Sequence, residues 1–267
     1  MTMALLAQFQ MPPVTELFEY PPIFGKESIL GFNRVSLLMF VGVIVALALF
    51  LIPLRKAQIV PRKGQLLVES VVQFVRDYIV IEVIGPAGLQ WVPYLTVLFV
   101  FILVMNVFEV IPYIIFPPTG RMAMPFMLAM ATWTIFLIVG IKEQGFLAYF
   151  KNIAVPSGVP KTILPLLAPI ELISTLIVRP FTLAIRLFAN MMAGHILLVI
   201  VFLMTDSFLF NVEFLDVPQP MLLPFGIITL GVGPVVVAFE LLIDLLQAYI
   251  FVILTAVYIG RSMHPEH

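Results

Sequence analysis

Arg186 stands among Leu183, Ala184, Ile185, Leu187 and Phe188, in the middle of an apolar run long enough to carry it deep into hydrocarbon. A guanidinium at that depth costs about 2.5–3.5 kcal/mol on insertion scales, so its presence points to function. Arginine does not surrender its proton in proteins, and it therefore cannot serve as a relay. What it does is attract a carboxylate and favour that group's ionised form, which drives a proton off any acid that approaches it.

At about 100° per residue, Thr175, Arg179, Thr182, Arg186 and Asn190 fall within about 80° of one another, a polar stripe on an apolar helix. A second stripe of Glu240, Asp244 and Gln247 spans about 60° on the next long helix. Polar residues in lipid also join helices by hydrogen bonds of about 1 kcal/mol. That reading suits a lone Asn or Thr, but adhesion rarely uses four ionisable groups, as Arg186, His195, Glu240 and Asp244 would require. A histidine titrates near neutral pH, which makes His195 with Glu240 a candidate relay. By ideal geometry, however, His195 lies about 180° around the helix from Arg186 and faces Glu109 or another helix.

These groups need long membrane helices to place them, and the chain supplies five apolar spans: 33–52, 91–116, 124–141, 163–204 and 221–259. The last two are each about twice the ~20 residues of a perpendicular crossing, which makes each either a hairpin or one strongly tilted helix. Charges in their middles and the absence of an outer turn favour the tilted helix. Residues 1–32, with Pro12, Pro13, Pro21, Pro22 and three glutamates, read as an acidic outer leader rather than a cleavable signal. Residues 65–84 mix Glu69, Gln73, Arg76 and Asp77 with apolar residues at helical spacing. They predict an amphipathic helix that either lies on the inner membrane surface or packs on the bundle.

Arg55, Lys56, Arg62 and Lys63 follow the first span, and Lys142, Lys151 and Lys161 follow the third. Basic loops stay inside, so the N-terminus lies outside and the C-terminus inside, with Arg121 the one exception. This orientation sorts the polar groups by depth. Asn106, Glu109, Asn190, His195, Glu240, Asp244 and Gln247 belong to an outer region, and Glu171, Ser174, Thr175 and Thr182 to an inner one. Arg186 stands between them. Two offset polar regions parted by a fixed cation imply that protons leave the chain at mid-membrane and re-enter elsewhere, through an acid on a partner.

Composition excludes much else. Of 267 residues, 62% are hydrophobic and 11% charged, far from a soluble domain, so the chain is one all-α polytopic membrane domain. A net charge of −1 without a basic cluster offers no footprint for nucleic acid. The absence of cysteine removes disulfides and thiolate metal sites, and no cofactor or metal is expected. No G-x-x-x-x-G-K-[ST] loop occurs, so the chain carries no phosphate-cradling motif of that kind.

The run Arg186-Leu187-Phe188-Ala189-Asn190-Met191-Met192-Ala193-Gly194-His195, preceded by Arg179-Pro180, resembles subunit a of the F-type ATP synthase. So does the fifth span, with Glu240 ahead of Gln247-Ala248-Tyr249-Ile250-Phe251 and Leu254-Thr255-Ala256-Val257-Tyr258. The resemblance implies a non-catalytic stator subunit in which Arg186 faces the carboxylates of a rotating c ring. It further implies an entry half-channel at Asn190, His195, Glu240 and Gln247, joined by Asn106 and Glu109, and an exit half-channel near Glu171 and Ser174. Implied partners are the c ring, b-type peripheral stalk subunits and the other ATP synthase subunits. The expected location is a bacterial plasma membrane. Ala189 stands where many members have Gly, and Asp244 where many are apolar, so the number of titrating carboxylates stays open. The rivals are an ion-coupled secondary transporter, a sodium-coupled version of the same subunit, and a structural scaffold with no ion path.

Overall fold

The computed structural model describes residues 22–24, 32–55, 58–111, 117–155, 163–210 and 219–263. Most of the leader therefore lies outside the described residues, as do Lys56, Lys161 and positions 112–116 of the expected second span. Among the described residues the chain is helical, apart from a short antiparallel pair of β1 (Pro22–Phe24) and β2 (Phe32–Asn33). Helix is what lipid demands, because each backbone N–H and C=O must find its partner within its own segment.

Helix α1 (Arg34–Leu54) is followed by α2 (Lys63–Val75), which runs on through a π-helical turn, Arg76–Ile81. Then come α3 (Val92–Val107), entered by a 3-10 turn at Pro86–Trp91, and α4 (Ala123–Gln144). Gly145, at φ 84°, stops α4 in the left-handed region that a side chain resists and redirects the chain into α5 (Phe146–Ala154). Helix α6 (Leu164–Ile173), a π-helical turn at Ser174–Val178, and α7 (Arg179–Leu209) form one continuous rod. Helix α8 (Gln219–Met263) is a second rod.

Among the described residues five helices are long and apolar enough to cross a membrane, and the fourth and fifth run for 46 and 43 residues without a break. The hairpin reading of these two is thereby excluded, and a length roughly twice one crossing requires strong tilt. The second span differs from the expected range: it begins at Pro86, ahead of Trp91, and its helix ends at Val107.

Helices α7 and α8 lie against one another along much of their length, with α3 and α4 packed onto the pair and α1 on α3. Leu95, Ile102, Phe136, Leu187, Met191 and Phe251 form the dry centre. The amphipathic segment packs on the bundle, with Val75, Ile79 and Val80 buried and the Phe74 ring 5.9 Å from Phe99 and 6.0 Å from Tyr249. Leu66 and Leu67 remain exposed on its other face. At one end of the bundle, Gln144 Nε2 donates to the Ser262 carbonyl at 2.8 Å and ties α4 to α8.

Candidate functional site

Arg186 lies on a face of α7 that no other element among the described residues covers. Thr182, Ile185, Ala189, Asn190 and Ala193 share this exposed face, and among the described residues no acid pairs with the guanidinium. The small side chains at 189 and 193 keep the surface beside Arg186 low. A partner helix could approach closely there, as small residues permit in membranes.

Toward the end of α7 beyond Arg186, the polar residues turn inward. Glu109, His195, Glu240 and Asp244 are all at most 2% exposed. Glu109 and Asp244 lie within electrostatic range of one another and of Glu240, so three carboxyls from α8 and the turn after α3 share one buried neighbourhood. Buried polar groups normally have partners, so three carboxyls gathered away from solvent set this neighbourhood apart from ordinary helix packing. His195 sits on the buried side of α7, opposite Arg186, one residue from Gly194, whose backbone packs against the Glu240 carboxyl.

Two further contacts frame this group. Asn106 is fully buried at the end of α3 and accepts a hydrogen bond from Thr119 Oγ1 at 2.8 Å. Asn190 Nδ2 donates to Gln247 Oε1 at 2.6 Å, joining α7 to α8. Asn190, Gly194, Glu240 and Gln247 line a cavity of about 280 Å³ between the two rods. Through Asn190 this cavity meets the exposed face that carries Arg186.

Toward the other end, past Arg179, the arrangement differs. Glu171 Oε1 pairs with Arg179 Nη2 at 3.3 Å, and the Arg179 guanidinium lies 5.7 Å from the Tyr258 ring centroid. Thr182 donates its hydroxyl to the carbonyls of Val178 and Arg179, at 2.8 and 3.0 Å. The ideal-helix stripe fails at two members: Arg179, half-buried over Tyr258, and Thr175, which is 4% exposed and faces the bundle; the second has a cause in the winding. For Thr175 the cause is the wide turn at Ser174–Val178, which adds a residue to one turn and rotates what precedes it relative to Arg186.

The structure thus brings Glu109, Glu240 and Asp244 together, joins Asn190 to Gln247, and pairs Glu171 with Arg179, while Arg186 shares its exposed face with Asn190 and, among the described residues, pairs with none of these acids. Sequence reasoning missed three supports: Thr119 on Asn106, Tyr258 under Arg179, and Trp133, whose Nε1 donates to the Leu176 carbonyl at 2.9 Å. For the last a signal existed, because Pro180 lacks the N–H that residue 176 needs.

The family model described as ATP synthase A chain matches residues 35–260. A protein from Frankia alni described as ATP synthase subunit a is 47% identical over 260 residues, covering 96% of this chain and 87% of the relative. Those of the same description from a Parafrankia species and from Rhodococcus erythropolis are 48% and 37% identical, covering 87% and 97% of this chain and 76% and 92% of their own lengths.

Proposed function

Since the chain belongs to the ATP synthase A chain family, we propose that it carries protons between two offset half-channels and the acids of a rotating ring, with Arg186 as the electrostatic divide. It is an integral membrane, ion-translocating subunit of the synthase with relatives in bacteria, and its partners are other ATP synthase subunits. The c ring and a b-type peripheral stalk are the specific partners we propose, in a bacterial plasma membrane with the N-terminus outside and the C-terminus inside.

In this reading Asn106, Glu109, Asn190, His195, Glu240, Asp244 and Gln247 form the outer path, and Glu171, Ser174, Thr175 and Thr182 the inner one. The observation that carries it is the placement of Arg186. It is exposed on its own face of α7, about 10 Å along the rod from Arg179 and about 13 Å from His195, at a rise of 1.5 Å per residue. A ring carboxyl arriving at that face meets a fixed positive charge that favours its ionised form, and gives up its proton toward the inner path. The same charge repels a proton attempting the short route. Each charge crossing 100 mV contributes about 2.3 kcal/mol, so several crossings are needed per ATP.

The test is Arg186→Gln in the assembled complex, reconstituted in vesicles under an imposed proton gradient. ATP synthesis should vanish while the complex stays assembled. Normal synthesis would overturn the reading in favour of a scaffold, and synthesis driven by a sodium gradient alone in the unaltered complex would replace the proton with sodium.

A further inference from the structure

We infer that Trp133 is a positioning residue for the inner path: its indole N–H takes the place of the backbone N–H that Pro180 lacks and holds the wide turn that sets how Thr175 and Glu171 are aimed relative to Arg186. The inference rests on the function proposed above.

The argument begins with one missing proton. In an α-helix the Leu176 carbonyl would accept from the N–H of residue 180, and a proline there offers none and presses its ring against that carbonyl. Within a membrane helix a stranded carbonyl must be satisfied by a neighbour or by local rewinding. Both devices are present. The segment Ser174–Val178 is wound as a π-turn, with the Arg179 N–H donating to the Ser174 carbonyl five residues back. From α4, Trp133 Nε1 reaches the Leu176 carbonyl at 2.9 Å, and the indole is half-buried between the two helices.

The consequence falls on the path. Ideal winding places Thr175 about 20° from Arg186, on the same exposed face. The extra residue instead turns Thr175 into the bundle, while Thr182 and Arg186 stay outward. Glu171, one turn before the wide segment, swings with it and meets Arg179 at 3.3 Å. If the turn reverted to α, the inner residues would rotate by about one residue, or 100°, relative to the arginine. Wide turns of this kind recur at functional sites.

The test uses the assembled complex in vesicles. Trp133→Phe keeps a ring and removes the donor. Replacement of Trp133 by its benzothienyl isostere removes the N–H alone and guards against a packing defect. Losing one interhelical hydrogen bond in a membrane shifts the winding equilibrium of the turn by roughly threefold on average. Both replacements should therefore lower proton-driven ATP synthesis by about that factor per assembled complex and shift its dependence on inner-side pH. In a Pro180→Ala background residue 180 supplies its own N–H, so Trp133→Phe should cost nothing further. An unchanged rate and pH profile in the isostere, or losses that simply multiply in the double variant, would overturn the inference. Failure of Arg186→Gln to abolish synthesis would instead remove the functional reading and leave the wiring of the turn to be judged by the double variant.

Discussion

Gly194 and Glu240 face one another across the α7–α8 interface so closely that a β-carbon on Gly194 would lie 2.9 Å from Glu240 Cδ, with Oε2 nearer still. The glycine is therefore a recess that seats a carboxyl against the backbone of the helix carrying Arg186. Gly194→Ala should push the Glu240 carboxyl out of this seat, into the cavity that both residues line. We expect proton-driven ATP synthesis to fall several-fold, and Glu240→Asp, shorter by one methylene, to restore part of it in the alanine background. An alanine variant with normal synthesis would show that the seat is not needed.

The Asn190–Gln247 bond joins the two long helices beside the cavity. In membranes such a bond is worth about 0.6 kcal/mol on average and up to about 1.7. Asn190→Ala and Gln247→Ala, singly and together, should show a coupling of that size when SDS-induced unfolding of the purified complex is followed. Strict additivity would mean that the two amides do not act as a pair.

Glu171 and Arg179 hold each other at the opposite end, with Tyr258 beneath the arginine. Arg179→Lys preserves charge but not the flat surface that lies on an aromatic ring, and Arg179→Leu preserves neither. ATP synthesis should decline in that order, and Glu171→Gln should add little to the leucine variant, because its partner is already gone. Equal activity in the lysine and leucine variants would deny the ion pair a part in the path.

Much of this was legible in the residues, for reasons that are physical. An arginine surrounded by Leu, Ile and Phe stands out because hydrocarbon makes its charge expensive, and two apolar runs of double length admit few arrangements. Period counting then placed Arg186 and Thr182 on one face and His195 on the other. It misplaced Thr175 because periodicity assumes uniform winding, and one proline changes the winding upstream of it. Supports such as Thr119 for Asn106, 13 residues away, and Trp133 for Leu176, 43 residues away, depend on how separate helices meet, and helical periodicity carries no record of that. The choice between a surface and a packed amphipathic helix at α2 was likewise undecidable from its pattern, since both bury the same stripe.

The bare face around Arg186 also bears on how such a molecule comes to exist. A newly inserted copy without its companions turns that guanidinium toward acyl chains, a penalty of about 2.5–3.5 kcal/mol that docking relieves. If Arg186 faces a ring as proposed above, the bilayer itself should single out copies that have not yet met their partner. In cells lacking the ring, an Arg186→Leu copy should outlast the unaltered chain in a pulse-chase, and equal lifetimes would mean that the membrane does not make this distinction.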